Sequence, residues 1–157
     1  ILSFIYLFFI AIFVAVVLYI IMSYTFQGIS IMCMCKNMGY KNTFTAWIPF
    51  YNKYLLGKIA GNKIMGAISG ILSFIAICLG TRFYINKELE IVLFIILVIS
   101  LIITFILDTM IAHRIYKSRA NKYGDILTVF NILSLGLLRP IFLFIIRNKK
   151  EQCSIKQ

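Results

Sequence analysis

The first charged side chain in this sequence is Lys36, so residues 1–35 form an uncharged and strongly apolar run. A helix of roughly 20 apolar residues is enough to cross a bilayer. In a soluble domain, so long a run would leave large apolar patches facing water. A secretory signal peptide has a shorter apolar region that ends at a small-residue cleavage site, and residues 1–22 exceed that length. The run therefore predicts a membrane-spanning helix over about residues 1–24.

Three further apolar runs follow, and polar breaks that contain nearly all the charges separate them. Hydrophobic residues make up 62% of the chain and the mean hydropathy is +0.97. Both values lie well above those of ordinary soluble domains. We therefore expect an all-α integral membrane protein, a single membrane domain over residues 1–157 with about four transmembrane helices. The later spans are predicted at about 64–81, 90–112 and 126–146, and a basic tail follows at 147–157.

The distribution of Lys and Arg predicts the orientation, because short cytoplasmic loops are enriched in these residues. Loop 33–63 holds five lysines and no acid, and loop 113–125 holds four basic residues. In loop 80–90, by contrast, two acids balance two basic residues. Loops 33–63 and 113–125 are therefore predicted to be cytoplasmic, with the N-terminus and loop 80–90 outside.

The basic tail conflicts with this orientation, because a full fourth crossing would place it outside. Arg139-Pro140 interrupts the fourth apolar segment. Proline removes a helical hydrogen bond and moves the preceding residue out of helical geometry. The fourth segment is therefore predicted to be kinked or re-entrant at Arg139-Pro140. Its length of about 21 residues, enough for a span, favours a kinked full crossing over re-entry.

The net charge of +11 is explained by this topology and by attraction to anionic lipid headgroups. Nucleic-acid binding is the competing interpretation, because aromatic residues alternate with lysines in the first loop. Such residues are typical of the Trp and Tyr belts at membrane interfaces. We therefore expect anionic lipids, and no nucleic acid, as partners.

An amphipathic interfacial helix is predicted at about residues 49–60, where proline suits the first helical position. One face of that helix carries Phe50, Tyr51, Tyr54, Leu55 and Ile59, which suits a helix lying at the cytoplasmic surface. The residues expected at the interface are Trp47, Pro49, Tyr51, Asn52, Lys53 and Tyr54.

Residues 36–146 contain a set of recognisable segments: Gly39, the segment from Trp47 to Tyr54 (WIPFYNKY), Ile59-Ala60-Gly61, Asp108 and Pro140-Ile141-Phe142. In these segments the sequence resembles a family of small multi-pass bacterial membrane proteins of unknown function. Some members of that family are fused to a signal-peptidase domain, which has no counterpart here. The resemblance implies a location in the bacterial cytoplasmic membrane and transfers no activity.

Small residues recur at steps of three and four along the second span. Such residues allow transmembrane helices to approach closely. We therefore predict a helix-packing face formed by Gly66, Ser69, Gly70, Ser73, Ala76 and Gly80.

Polar residues also follow one face of the third span, at Ser100, Thr104 and Asp108, since steps of four return to nearly the same side of a helix. Asn131 and Arg139 are the intramembrane polar residues predicted in the fourth segment. An intramembrane acid indicates a functional site by default. A structural role for Asp108, paired with Arg114 or a tyrosine of the surface helix, is nevertheless favoured over ion or proton handling. Arg139 is expected to lie too far away to pair with it.

The sequence contains no recognisable catalytic, metal-binding or cofactor-binding motif. The single histidine and the four cysteines lack metal-site spacing. We therefore expect no enzyme activity, no catalytic residue, no metal and no cofactor. The favoured function is that of an accessory or scaffold subunit in a larger membrane complex, with another integral membrane protein or a second copy as partner. The alternative is a small oligomeric channel or carrier that uses the polar stripe of the third span.

Overall fold

The computed structural model describes residues 2–82 and 90–149, and within these ranges it contains helices and no strand. Most of the predicted outer loop and the end of the basic tail lie outside the described residues. The helices are α1 (Leu2–Asn37), α2 (Tyr51–Ile59), α3 (Lys63–Arg82), α4 (Glu90–Ala120), α5 (Gly124–Leu133) and α6 (Arg139–Ile146). Short 3₁₀ helices precede α2, at Thr43–Trp47, and α5, at Asn121–Tyr123.

Three helices, α1, α3 and α4, are long and apolar enough to cross a membrane. The prediction of an all-α membrane protein is thus confirmed. Both α1 and α4 extend well past the ends predicted for their spans, because polar residues there are buried against other parts of the chain. Gln27 and Ser30 of α1, for example, are 9% and 0% exposed.

The hydrophobic core lies at the end of the bundle where α1 and α4 finish, which we call the basic end. Ile31, Met34, Ile115, Tyr116 and Leu143 are fully buried there. The start of the basic tail also reaches this end. The Asn37 amide donates a hydrogen bond to the carbonyl of Arg147 at 3.3 Å, and the Arg119 guanidinium donates one to the carbonyl of Lys149 at 2.7 Å.

The fourth apolar segment folds as a helical hairpin, which we call the second hairpin (residues 124–146). α5 packs along α4, a turn reverses the chain, and α6 returns along α1 to the basic end. The chain reverses at Leu135 and Gly136, which have φ angles of 52° and 83°. At the tip, the Tyr19 hydroxyl donates to the carbonyl of Leu137. The segment therefore corresponds to the re-entrant alternative, not to the kinked crossing that its length favoured.

The break in this segment lies four residues earlier than the predicted break at Arg139-Pro140. Leu135 and Gly136 adopt left-handed conformations, which end α5. Pro140, in contrast, lies in the first turn of α6, where its missing N–H costs nothing. The proline therefore starts a helix instead of kinking one.

The first loop also turns back along the bundle, as a first hairpin (residues 43–59). The Trp47 ring packs on Gly28 of α1, and the Tyr24 hydroxyl donates to the Trp47 carbonyl. At the tip Phe50 has a φ of 66°, so α2 begins at Tyr51, two residues later than predicted. α2 then runs antiparallel to the first turns of α3, with Phe50 beside Gly70.

Two glycines of the predicted packing face allow the close contact between α2 and α3. A Cβ on Gly66 would lie 2.6 Å from the Lys53 carbonyl oxygen, and one on Gly70 would lie 2.9 Å from that of Phe50. Gly80, near the other end of α3, has more room, because its Cβ would meet Leu97 at 3.8 Å. The small residues at the start of α3 therefore accommodate backbone, as expected of close helix packing.

We predict that Gly66→Ala lowers the stability of the protein by about 1–3 kcal/mol, because the added methyl group overlaps backbone atoms that cannot move freely. The thermal unfolding midpoint of the detergent-solubilised protein measures this effect. Gly80→Ala is the matched control and should leave the midpoint nearly unchanged. Equal midpoints for the two variants would contradict the close α2–α3 contact.

The hairpin topology predicts that residues 122 and 149 lie on the same side of the membrane. In a cysteine-free background, single cysteines replacing Lys122 and Lys149 should react with a membrane-impermeant maleimide from one side. A cysteine replacing Thr81, at the opposite end of α3, should react from the other side. All three native side chains are exposed. Labelling of positions 149 and 81 from the same side would show a full fourth crossing.

Candidate functional site: a buried charge cluster and its cavities

Asp108 of α4 lies where the two hairpins meet. It is six residues before Arg114, or about 9 Å along the helix axis. The carboxylate oxygen Oδ2 accepts from the Lys53 ammonium at 2.9 Å and from the Arg139 guanidinium at 2.7 Å. Lys53 comes from the first hairpin and Arg139 from the second. One acid therefore joins both hairpins to a spanning helix.

Two serines of α3 complete the bonding around this acid. The Ser69 hydroxyl donates to Oδ1 of Asp108, and the Lys53 ammonium donates to the Ser73 hydroxyl at 2.6 Å. Ser73 in turn donates to the Ser69 carbonyl at 2.8 Å. Both serines belong to the predicted helix-packing face. That face therefore supplies hydrogen bonds as well as close backbone contact.

The cluster is largely withdrawn from solvent. The side chains of Lys53, Asp108 and Arg139 are 17%, 13% and 18% exposed. Burying a charge is costly unless it is paired and hydrogen-bonded. Lys53 lies outside the three spanning helices, and burial lowers its pKa from the ordinary lysine value while the Asp108 carboxylate opposes that shift. Two cations against one anion leave the cluster with one excess positive charge.

The prediction that Asp108 pairs with Arg114 or with a tyrosine of the surface helix was wrong. Arg114 lies exposed on the surface of α4, and no tyrosine of α2 bonds to Asp108. Arg139 was expected to be out of reach because a straight crossing would carry it beyond the bilayer midplane. The second hairpin instead reverses before Arg139 and returns this residue to the level of Asp108. A structural role for Asp108 is the interpretation that these contacts favour.

The polar stripe of α4 divides among different neighbours. The Ser100 hydroxyl donates to the Leu72 carbonyl of α3 at 3.1 Å. The Thr104 hydroxyl and the Asn131 side-chain oxygen are buried and have no hydrogen-bond partner. Of the predicted stripe, therefore, Ser100 serves helix packing, Asp108 serves the charge cluster, and Thr104 lines a cavity together with Asn131.

That cavity, which we call the polar cavity, has a volume of about 210 Å³ and lies between α4 and the second hairpin. The residues that line it include Thr104, Asp108, Asn131 and Arg139 together with apolar side chains, of which Leu101 and Leu135 are exposed. A second cavity of about 10 Å³ lies between Lys53, Asp108 and Arg139 and the core residues of the basic end. It is close to the smallest space that holds a water molecule.

The predicted interfacial residues of the first hairpin are distributed over several environments. Asn52 is buried at 7% exposure, whereas Tyr51 is 42% exposed. The rings of Tyr51 and Tyr54 lie 5.3 Å apart, and Pro49 is exposed at the hairpin tip. Only Lys53 of this set reaches the charge cluster. Among the described residues, no group of side chains has the arrangement of a metal site.

Several residues of the site had no distinct signal in the sequence. Lys53 follows an aromatic-rich stretch and was assigned to the membrane surface, since long lysine side chains commonly reach towards the headgroups. Tyr19, which bonds to the tip of the second hairpin, lies among apolar residues of α1, and Tyr24, which bonds to the first hairpin, lies between Ser23 and Thr25. The tyrosine hydroxyl groups themselves were the signal that could have indicated polar contacts along this helix.

Comparison with protein-family models, with curated proteins and with solved structures finds no match for this chain.

We predict that Asp108→Asn destabilises the protein by about 3–5 kcal/mol, because it leaves two buried cations without their anion. Lys53→Met and Arg139→Met should destabilise the protein less, since Asp108 keeps one cationic partner in each variant. The thermal unfolding midpoints of the three variants in detergent give the order of these losses. Lys122→Met, which removes an exposed lysine, is the control. An Asp108→Asn midpoint equal to that of the control would contradict the role of Asp108 in joining the hairpins.

Proposed function

We propose that this protein is a non-catalytic accessory or scaffold subunit that packs in a membrane against a larger partner protein. Two features support the proposal. The ionisable groups of the charge cluster are engaged with one another, and the outer half of one spanning helix is exposed. The second feature carries the proposal.

The charge cluster suits a structural role. Both carboxylate oxygens of Asp108 accept hydrogen bonds, from two cations and a serine. A carboxylate held in this way is poorly placed to bind and release a passing cation, because each exchange would leave buried Lys53 and Arg139 unpaired. Its physical effect is to fix the depth and register of the two hairpins.

The outer half of α1 is the uncovered surface. Every residue from 4 to 22 is exposed, whereas burial begins with the polar turns that follow. α1 packs mainly on α6, on α2 and on the 3₁₀ helix before α2, all towards the basic end. The second hairpin stops at Tyr19, so the place that a fourth crossing would occupy beside α1 is unfilled. A transmembrane helix of a partner fits that place.

The alternative, an oligomeric channel or carrier lined by Ser100, Thr104 and Asp108, has less support. Ser100 is bonded to the backbone of α3, and Asp108 is bonded to both hairpins. Only Thr104 of the three has an unpaired polar group. A continuous path along the stripe would require these bonds to break.

For the cellular setting, we infer a bacterial cytoplasmic membrane with the basic end facing the cytoplasm. The tail up to Lys149 joins loops 33–63 and 113–125 at this end. The hairpin topology therefore removes the conflict between the basic tail and the enrichment of cytoplasmic loops in Lys and Arg. The bacterial setting rests on the resemblance in residues 36–146.

Photo-crosslinking in cells of the native host tests the proposed subunit role. We expect a photoreactive amino acid replacing Phe13 of α1 to give one discrete adduct with a different membrane protein. The same amino acid replacing Ile77 of α3 is the control, because both native side chains are apolar and exposed, at 69% and 56%. Lipid adducts alone at Phe13, an adduct with a second copy of this chain, or equal adducts at both positions would contradict the proposal.

A further inference from the structure

The charge cluster holds one more cation than it holds anions. Lys53 and Arg139 both donate to Oδ2 of Asp108, at 2.9 and 2.7 Å, and all three side chains are mostly buried. Among the residues that the structure describes, no second carboxylate contacts either cation. An uncompensated charge is costly in a low-dielectric interior. The cluster therefore favours the loss of one proton from one of its two cations.

Of the two cations, Lys53 is the one that releases a proton. An arginine side chain stays protonated in proteins, whereas a lysine amine changes its protonation readily when it is buried. Burial is the largest influence on Lys53 and lowers its pKa, the Asp108 carboxylate opposes that shift, and the Arg139 guanidinium adds to it. Loss of the Lys53 proton leaves the ion pair of Arg139 with Asp108 in place, so the acid keeps its counter-ion.

The oxygen atoms around Lys53 accommodate both of its protonation states. The ammonium has three N–H donors, and its nitrogen lies 2.9 Å from Oδ2 of Asp108, 2.6 Å from the Ser73 hydroxyl and 3.5 Å from the Ser69 hydroxyl. A neutral amine has two donors and one lone pair. The Ser73 hydroxyl, which donates to the Ser69 carbonyl, can turn and donate to that lone pair instead. The amine therefore keeps three hydrogen-bonding neighbours after it loses its proton.

The charged groups that act on Lys53 are few. The helix that carries it, α2, packs on α1, α3, α4 and the preceding 3₁₀ helix. Next to Lys53, α3 presents two neutral serine hydroxyls. The charged residue of α1, Lys36, is exposed at the basic end, and the 3₁₀ helix contains no charged residue. In the described part of the chain, Asp108 of α4 and Arg139 of α6 are thus the charges that govern this proton.

We propose that Lys53 is a proton-exchanging site: as the pH rises, its ammonium gives a proton to water before the exposed lysines do, while Asp108 and Arg139 stay paired. Docking of the first hairpin on α3 and α4 favours the neutral amine, so proton uptake by Lys53 weakens that docking. The stability gained in this way is fully present above the ordinary lysine pKa and is lost as the pH falls to the lowered pKa of Lys53. The site does not depend on the proposed subunit role.

NMR of the full chain in detergent micelles, with ¹³C at the lysine Cε atoms, tests this site, because the Cε resonance moves when the ammonium loses its proton. The resonance missing from Lys53→Arg, or from Lys53→Met if the arginine variant does not fold, identifies Lys53. The resonance missing from Lys122→Arg identifies an exposed lysine as the control. We expect Lys53 to titrate at a lower pH than Lys122. A Lys53 midpoint equal to or above that of Lys122 would overturn the proposal.

Arg139→Met separates the effect of the shared carboxylate from that of burial alone. Without the guanidinium, Lys53 is the one cation at Asp108, so its titration midpoint should move to higher pH while that of Lys122 stays unchanged. An unmoved Lys53 midpoint would assign the effect to burial and overturn the role of the cluster.

Thermal unfolding in detergent decides the question if Arg139→Met does not fold. The unfolding midpoint of the unmodified protein, relative to that of Lys53→Met, should rise as the pH approaches 10.5, the ordinary value for lysine. Lys122→Met is the matched control and should show no such rise relative to the unmodified protein. A difference between the unmodified protein and Lys53→Met that is independent of pH would contradict proton exchange at Lys53.

Discussion

The three-way contact of Asp108 with Lys53 and Arg139 is the interaction on which the arrangement of this chain depends. Each cation lies just after the tip of its hairpin, and both contact the same carboxylate oxygen. Both hairpins start from the basic end of the bundle. A charge in such surroundings needs a partner held in good geometry. The pairing therefore sets how far each hairpin extends along the spanning helices, and it links α2, α4 and α6 through one residue.

Packing at the basic end depends on this arrangement. With both hairpins in place, the last turns of α1 and α4 are covered by α2 and α6, which explains why polar residues of α1 such as Ser30 are fully buried. Glycines in α3 let the backbone of the first hairpin approach closely enough for Lys53 to reach its partners. Beyond the hairpin tips the helices have fewer neighbours within the chain. The molecule thus has a well-packed half and a sparsely packed half.

This division bears on the proposed subunit role. The sparsely packed half leaves α1 uncovered, which favours a partner helix there. The polar cavity lies where the second hairpin turns back, since the reversal at Leu135 and Gly136 leaves the space beside α4 only partly filled. Re-entrant backbone at membrane depth requires protein or water around its polar groups.

The sequence by itself determined the membrane class and the three spanning helices, because hydropathy is a local property. The spacing of small residues likewise indicated the packing role of Gly66 and Gly70, and the isolated intramembrane acid indicated the importance of Asp108. Only the tertiary structure decided that the fourth apolar segment turns back and that Lys53 and Arg139 share Asp108. A run of 21 apolar residues has the same composition whether it crosses or reverses. The difference lies in left-handed backbone at Leu135 and Gly136 and in contacts between residues up to 118 positions apart, such as Tyr19 and Leu137.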